Sequence, residues 1–239
     1  MTTTRLHTLY RGLAMLVLGT LMILSLRTIE ANRETRLRQE RLYFPSGDFL
    51  VESSLGFREA AADYLWFRFV QYYGAHAKGE NDLRYFDVLI DGITKLDPRF
   101  VEAYHFASLV RWSSMGDVPG SFDILRRGIL ANPDNAKLKF QIGFMHYVLE
   151  HDYLRAAHWF QTASECSDAS DKEARFAAFA RQKAGDDRVS LALWKNLYET
   201  TDSPQMKELA EKMMTKLIRQ LEIQKIYGDG FIGPIPPEI

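Results

Sequence analysis

The sequence predicts an all-α protein in which an N-terminal apolar helix leads into a stack of helical hairpins closed by a terminal capping helix. Three observations carry this reading. LDPRF at residues 96–100 and ANPDN at 131–135 each end a helical stretch with an Asp/Asn-Pro pair, and the two lie 35 residues apart. A helix–turn–helix period of roughly 34 to 47 residues is what a stacked hairpin array leaves in sequence. Ser121, Leu125 and Gly128 then form a small–large–small set that Ala156, Phe160 and Ala163 repeat. Positions i, i+4 and i+7 share one helix face, where small residues admit a neighbouring helix and the large one fills the gap. Finally, an uncharged run, GLAMLVLGTLMILSL from Gly12 to Leu26, precedes the array.

That run is expected to be a transmembrane anchor through Gly12, Leu16, Leu18, Leu21, Ile23 and Leu26. Fifteen helical residues rise only about 22 Å against a hydrocarbon layer of about 30 Å. Leu9, Tyr10 and a snorkelling Arg11 extend it. Cleavage as a signal peptide is disfavoured because the stretch after it offers only Ala31 amid charges. Residues 27–42 continue as a polar juxtamembrane helix, with Glu34 and Arg38 paired at i, i+4. Pro45 and Gly47 then break the helix within a linker over 43–54.

About four hairpins are expected over 55–203. The first opens on a segment crowded with Phe57, Tyr64, Trp66, Phe67, Phe69, Tyr72 and Tyr73, which reads as a helix buried on more than one face. Its second helix carries Phe86, Ile90 and Ile93 at the positions that are small, large and small in later units. The second hairpin runs from Phe100 to Met115 and Pro119 to Ala131, turning at Gly116 and Asp117; the third covers Ala136 to Leu149 and Asp152 to Glu165. In the fourth, Gly185 and Asp186 make the turn, Ala192 fits a small position, and Asn196 and Glu199 do not continue the pattern. Terminal repeats are expected to be atypical. Residues 204–227 form an amphipathic cap with Met206, Leu209, Met213, Leu217 and Leu221 on one stripe, and 228–239 a Pro/Gly-rich flexible tail.

The sets at Ser121, Leu125, Gly128, Pro133 and at Ala156, Phe160, Ala163, the HDYLRAA turn and the apolar-Gly step Ile142-Gly143 resemble the tetratricopeptide repeat family. The units depart from it in being one residue longer than 34 and in placing Asp168 where the third Pro would fall. With the apolar leader, YFPSG and the aromatic first helix, the chain is also similar to bacterial single-pass membrane-anchored repeat proteins. The resemblance implies architecture only: a helical-hairpin solenoid anchored at the bacterial inner membrane. Two Arg before the apolar run against five after it, Arg27, Arg33, Arg36, Arg38 and Arg41, favour a cytoplasmic domain. The leader's likeness to an uncleaved export signal favours the periplasm, and the reading leans that way.

A net charge of −1 argues against a nucleic-acid partner. Cys166 stands alone, so neither an intramolecular disulfide nor a cysteine zinc site can form, and it reads as a small core residue. His7, His76, His105, His146, His151 and His158 follow no metal-ligand spacing; no phosphate loop or nucleophile elbow occurs; Asp97, Asp117 and Asp186 belong to turns. The expectation is a non-enzyme without metal, cofactor or small-molecule substrate. Binding is expected on the first helices, which line the concave side of such arrays. The candidates are His105, Leu109 and Trp112, then Phe140, Phe144 and Tyr147, then Arg175 and Phe179. Aromatic stripes at this spacing equally suit the core, and one extra residue per unit would shift Trp112 and Tyr147 into it. As a groove the surface suits a helix or extended peptide. That makes the chain a membrane-anchored scaffold or adaptor in an envelope, secretion or pilus-type assembly, the alternative being a permanent structural subunit of a larger membrane complex.

Overall fold

The computed structural model describes residues 15–28 and 47–228. Helix α1 covers 15–28. It is followed by α2 (Gly47–Ser53), α3 (Arg58–Ala77), α4 (Phe86–Leu96), α5 (Val101–Ser114), α6 (Val118–Ala131), α7 (Ala136–Met145, continued by a π turn His146–Glu150), α8 (Tyr153–Ser164), α9 (Asp171–Lys183), α10 (Asp187–Thr200) and α11 (Pro204–Tyr227). No strand occurs among the described residues. Helices α3/α4, α5/α6, α7/α8 and α9/α10 pair as hairpins, α6 meets α7, α8 meets α9, and α11 closes the far end against α10. The described part is a stack of helical hairpins resembling a tetratricopeptide solenoid.

One face of each second helix sets the stack. Phe86, Ile90 and Ile93 on α4, Ser121, Leu125 and Gly128 on α6, and Ala156, Phe160 and Ala163 on α8 are all buried. On α10 the equivalent set is Ser190, Trp194 and Leu197, also buried. The fourth-unit reading was therefore two residues out of phase: Ala192, Asn196 and Glu199 are exposed. Ser121 donates to the Ser108 carbonyl, and Ser190 donates to the Ala178 carbonyl at 2.8 Å. These equivalent hydroxyls tie each second helix to the first helix of its own hairpin while keeping the small volume the contact needs.

The turns repeat as closely as the core. Gly116, His151 and Gly185 each adopt a left-handed backbone. Each is followed by an Asp whose carboxylate accepts from a first-turn N–H: Asp117 from Gly120, Asp152 from Arg155 and Asp186 from Val189. A left-handed residue ends one helix and an acidic N-cap starts the next. Asp97 instead accepts from the Arg99 N–H in the loop between hairpins. The extra residue of the 35-residue units sits at the end of the first helix. It forms the π turn His146–Glu150 in one unit and a wide Met115 N–H to Val110 carbonyl bond in the other, the way helices absorb single insertions.

Asp168 replaces the proline's stiffness with hydrogen bonds, accepting from the Ala136 N–H at 2.8 Å and the Asn135 side chain at 2.9 Å. In return Asp134 accepts from the Ser167 N–H and hydroxyl, and these bonds hold its carboxyl below the usual carboxylate range. Cys166 is buried, as expected, but lies past the end of α8, where the Lys139 ammonium donates to its sulfur.

Helix α3 is covered on more than one face, as expected, by α4 and by Phe106 of α5, while Tyr64, Phe67 and Val70 on its remaining side are exposed. Two other expectations change. The 43–54 linker contains α2, whose Leu50 and Val51 pack against the core. The transmembrane span over Gly12–Leu26 is not found: among the described residues no helix is long and apolar enough to cross a membrane. Leu16, Leu18, Leu21, Ile23 and Leu26 lie on the short α1, every described residue of which is exposed, and Gly12 lies outside the described residues. So do most of the juxtamembrane segment and the tail after Gly228. The cap falls where expected, with Met213 and Leu217 buried and Met206, Leu209 and Leu221 half-buried.

Two substitutions test this packing. A Cβ at residue 128 would stand 2.9 Å from Tyr104 Cβ and 2.8 Å from its Cγ, atoms that cannot swing aside. Gly128→Ala is expected to lose about 1–3 kcal/mol in urea unfolding, although Ala is the better helix former by about 1 kcal/mol. His151 has a φ of 54°, so His151→Gly is expected to raise the unfolding midpoint, the left-handed penalty of about 1–2 kcal/mol exceeding the entropy cost of glycine.

Candidate partner-binding surface on the first helices

The eight sequence-derived candidates occupy equivalent places. His105, Phe140 and Arg175 are successive 35-residue equivalents, as are Leu109, Phe144 and Phe179, and then Trp112 and Tyr147. Because the widening of α5 and α7 begins only near their ends, these sets keep their phase. All eight are half-buried. Trp112, Phe140, Phe144, Tyr147 and Phe179 pack against the buried core and keep part of their surface exposed.

The rings interlock across hairpins. Phe140 lies 4.9 Å from Phe160 and 5.1 Å from Phe176 between centroids, and 6.5 Å from Phe144 in a nearly parallel arrangement. Tyr147 sits edge-on to Tyr153 at 5.1 Å, and Phe179 edge-on to Trp194 at 5.0 Å. These geometries suit the ring quadrupole and hold the side chains in one orientation before any partner arrives. Arg175 lies 5.6 Å from the Phe176 ring, and Lys172 covers Phe140 at 4.1 Å. A cation over a ring face adds about 0.5–1 kcal/mol at an exposed site.

Sequence reading missed several contributors. Gln141, one residue past Phe140, is only 6% exposed. Its Nε2 and the indole Nε1 of Trp112 are buried donors without a partner among the described residues. Both atoms lie beneath the surface, where donors are normally satisfied. Glu102 receives Lys137 at 2.6 and 2.7 Å, a cross-hairpin ion pair on the same surface. Its equivalent on α3 is Phe67, and that of His105 is Val70, both exposed. Adding 35 to α3 positions would have found them. The imidazole of His105 is pushed below its ordinary pKa, chiefly by burial and then by the Lys137 charge, with Glu102 and a hydrogen bond to Gln141 opposing.

On the opposite, second-helix side lies a shallow hollow lined by Asp87, Val88, Asp91 and Arg127. Among the described residues no group of three His, Cys, Asp or Glu side chains is placed to hold a metal.

Among solved structures, the chain is similar to the one described as "Crystal structure of MamA", with a TM-score of 0.40 and 13% identity over 64% of this chain and 96% of that chain. No protein-family model and no curated protein sequence matches. The fold assignment rests on the packing described above.

His105 supplies a pH test. Its folded pKa lies below the unfolded value of about 6.5, so the unfolded chain takes up the proton first as pH falls. The stability it confers is present above that value and is lost on acidification. His105→Gln is expected to lose less thermal stability than the parent chain between pH 7 and pH 5, and an NMR titration should place the His105 midpoint below the ordinary histidine value of about 6.5.

Proposed function

We propose that this chain is a membrane-tethered scaffold or adaptor that holds another protein along its first-helix surface, and that its role is binding and not catalysis. The observation that carries the proposal is the half-buried stripe on α5, α7 and α9, whose α7 and α9 rings are held by ring contacts to their neighbours. Apolar area supplies affinity, and an extended peptide or an amphipathic helix matches a stripe of this kind.

The tether is the apolar helix α1. It exposes Met15, Leu16, Leu18, Leu21, Met22, Ile23 and Leu24, a continuous apolar surface of a kind that marks membrane or protein contact. In this proposal α1 contacts lipid at the bacterial inner membrane, with the repeat domain on its periplasmic side, in an envelope, secretion or pilus-type assembly.

Site-specific photo-crosslinking in cells tests the binding surface. A crosslinker in place of Phe144 or Leu109 is expected to yield one discrete adduct, and one in place of the exposed Leu130 or Leu154 on the second helices none. Phe144→Asp should weaken the partner's affinity by about tenfold or more, the usual cost of losing a central anchor. Equal adduct patterns on both sides would remove the proposal.

A further inference from the structure

The first hairpin carries a part that the repeat does not require. Helices α5, α7 and α9 begin at Val101, Ala136 and Asp171, and the α3 position 35 residues before Val101 is Trp66. Residues 58–65 of α3 are therefore two additional turns at its N-terminal end. They and the turn before them hold the densest group of projecting apolar side chains on the hairpins: Leu55 is 84% exposed, Phe57 74% and Tyr64 61%. Leu55 is held in a left-handed conformation, with φ 50°.

We infer that this extension is a membrane-contact tip, inserting Leu55, Phe57 and Tyr64 into the interface of the bilayer that α1 enters. The inference rests on the tether proposed above. Side chains this exposed stand proud of the surface, and a projecting apolar group of this kind marks a membrane or protein contact; a lipid interface yields around projecting groups. Aromatic residues concentrate at that depth. The position in the chain agrees, since the tip follows α1 by fewer than thirty residues; the intervening Arg33, Arg36, Arg38 and Arg41 are balanced by Glu30, Glu34, Glu40, Asp48 and Glu52, so that stretch adds no net attraction to anionic headgroups. The exposed charges on the tip itself, Arg58, Glu59 and Asp63, have mixed sign, so its own contact is apolar insertion. Contact at the tip as well as the tether would fix the tilt of the array, and with it the direction in which the first-helix surface faces.

Nitroxide accessibility in the full chain, reconstituted into phosphatidylcholine vesicles, tests this. Single labels at Leu55→Cys, Phe57→Cys, Leu18→Cys and Leu154→Cys are made with Cys166→Ser as background. The two tip labels are expected to collide several-fold more with oxygen relative to a water-soluble nickel chelate than does the label at 154. If residue 18 is lipid-protected and the tip labels match residue 154, the tether stands and the tip inference fails. If residue 18 is also aqueous, the tether fails and the tip inference with it.

Discussion

The structure depends on how closely the backbones of neighbouring helices can approach. Gly128 lies against Tyr104 and Leu138, and Gly143 against Phe160 and the Ala156 carbonyl, with room for no Cβ at either place. Side-chain volume at these contacts sets interaxial distance, and distance sets how far each hairpin is displaced from the last. Buried Phe160 and Leu125 then fill the space between the small residues. Removing that complementarity at any one unit would propagate along the array, because each hairpin touches mainly its neighbours.

Polar groups determine register rather than cohesion. The Asp117, Asp152 and Asp186 caps fix where each second helix starts, and the paired exchange between Asp134, Ser167, Asp168 and Ala136 locks successive loops together. The capping box at Ser170 and Glu173 does the same for α9. With turns and loops fixed, the first helices present equivalent residues side by side, which turns scattered aromatics into one surface. That surface is apolar, aromatic and half-buried.

Much of this was legible in the chain. Phe86, Ile90 and Ile93 were placed correctly because the LDP and NPD loops fix the phase at both ends of the second unit. The fourth unit was misread because Trp194 and Leu197 replace the expected large and small residues, and Ser190, small through its hydroxyl bond to Ala178, was passed over for Ala192. Asp168 looked like a lost proline because a hydrogen-bonded substitute has no one-letter signature. Spacing placed the candidate aromatics on one face, but not their half-buried state, since periodicity identifies a face and not how deeply the next hairpin covers it. Nor could composition reveal that Gln141 is buried with a donor to spare, or that the aromatic side of α3 is left uncovered.

The central claim is an open array rather than a closed bundle, and it can be measured on a single set of positions. Lys95, Leu130, Glu165 and Glu199 are successive equivalents at the second-helix ends, and all are exposed. Pairs of nitroxide labels read by double electron–electron resonance should show separations that grow with each intervening hairpin, by about 10 Å per step from the usual helix spacing, so that 95–199 is the longest. A 95–199 distance no greater than 130–199 would mean that the hairpins fold back on one another, and the account of a continuous first-helix surface would be contradicted.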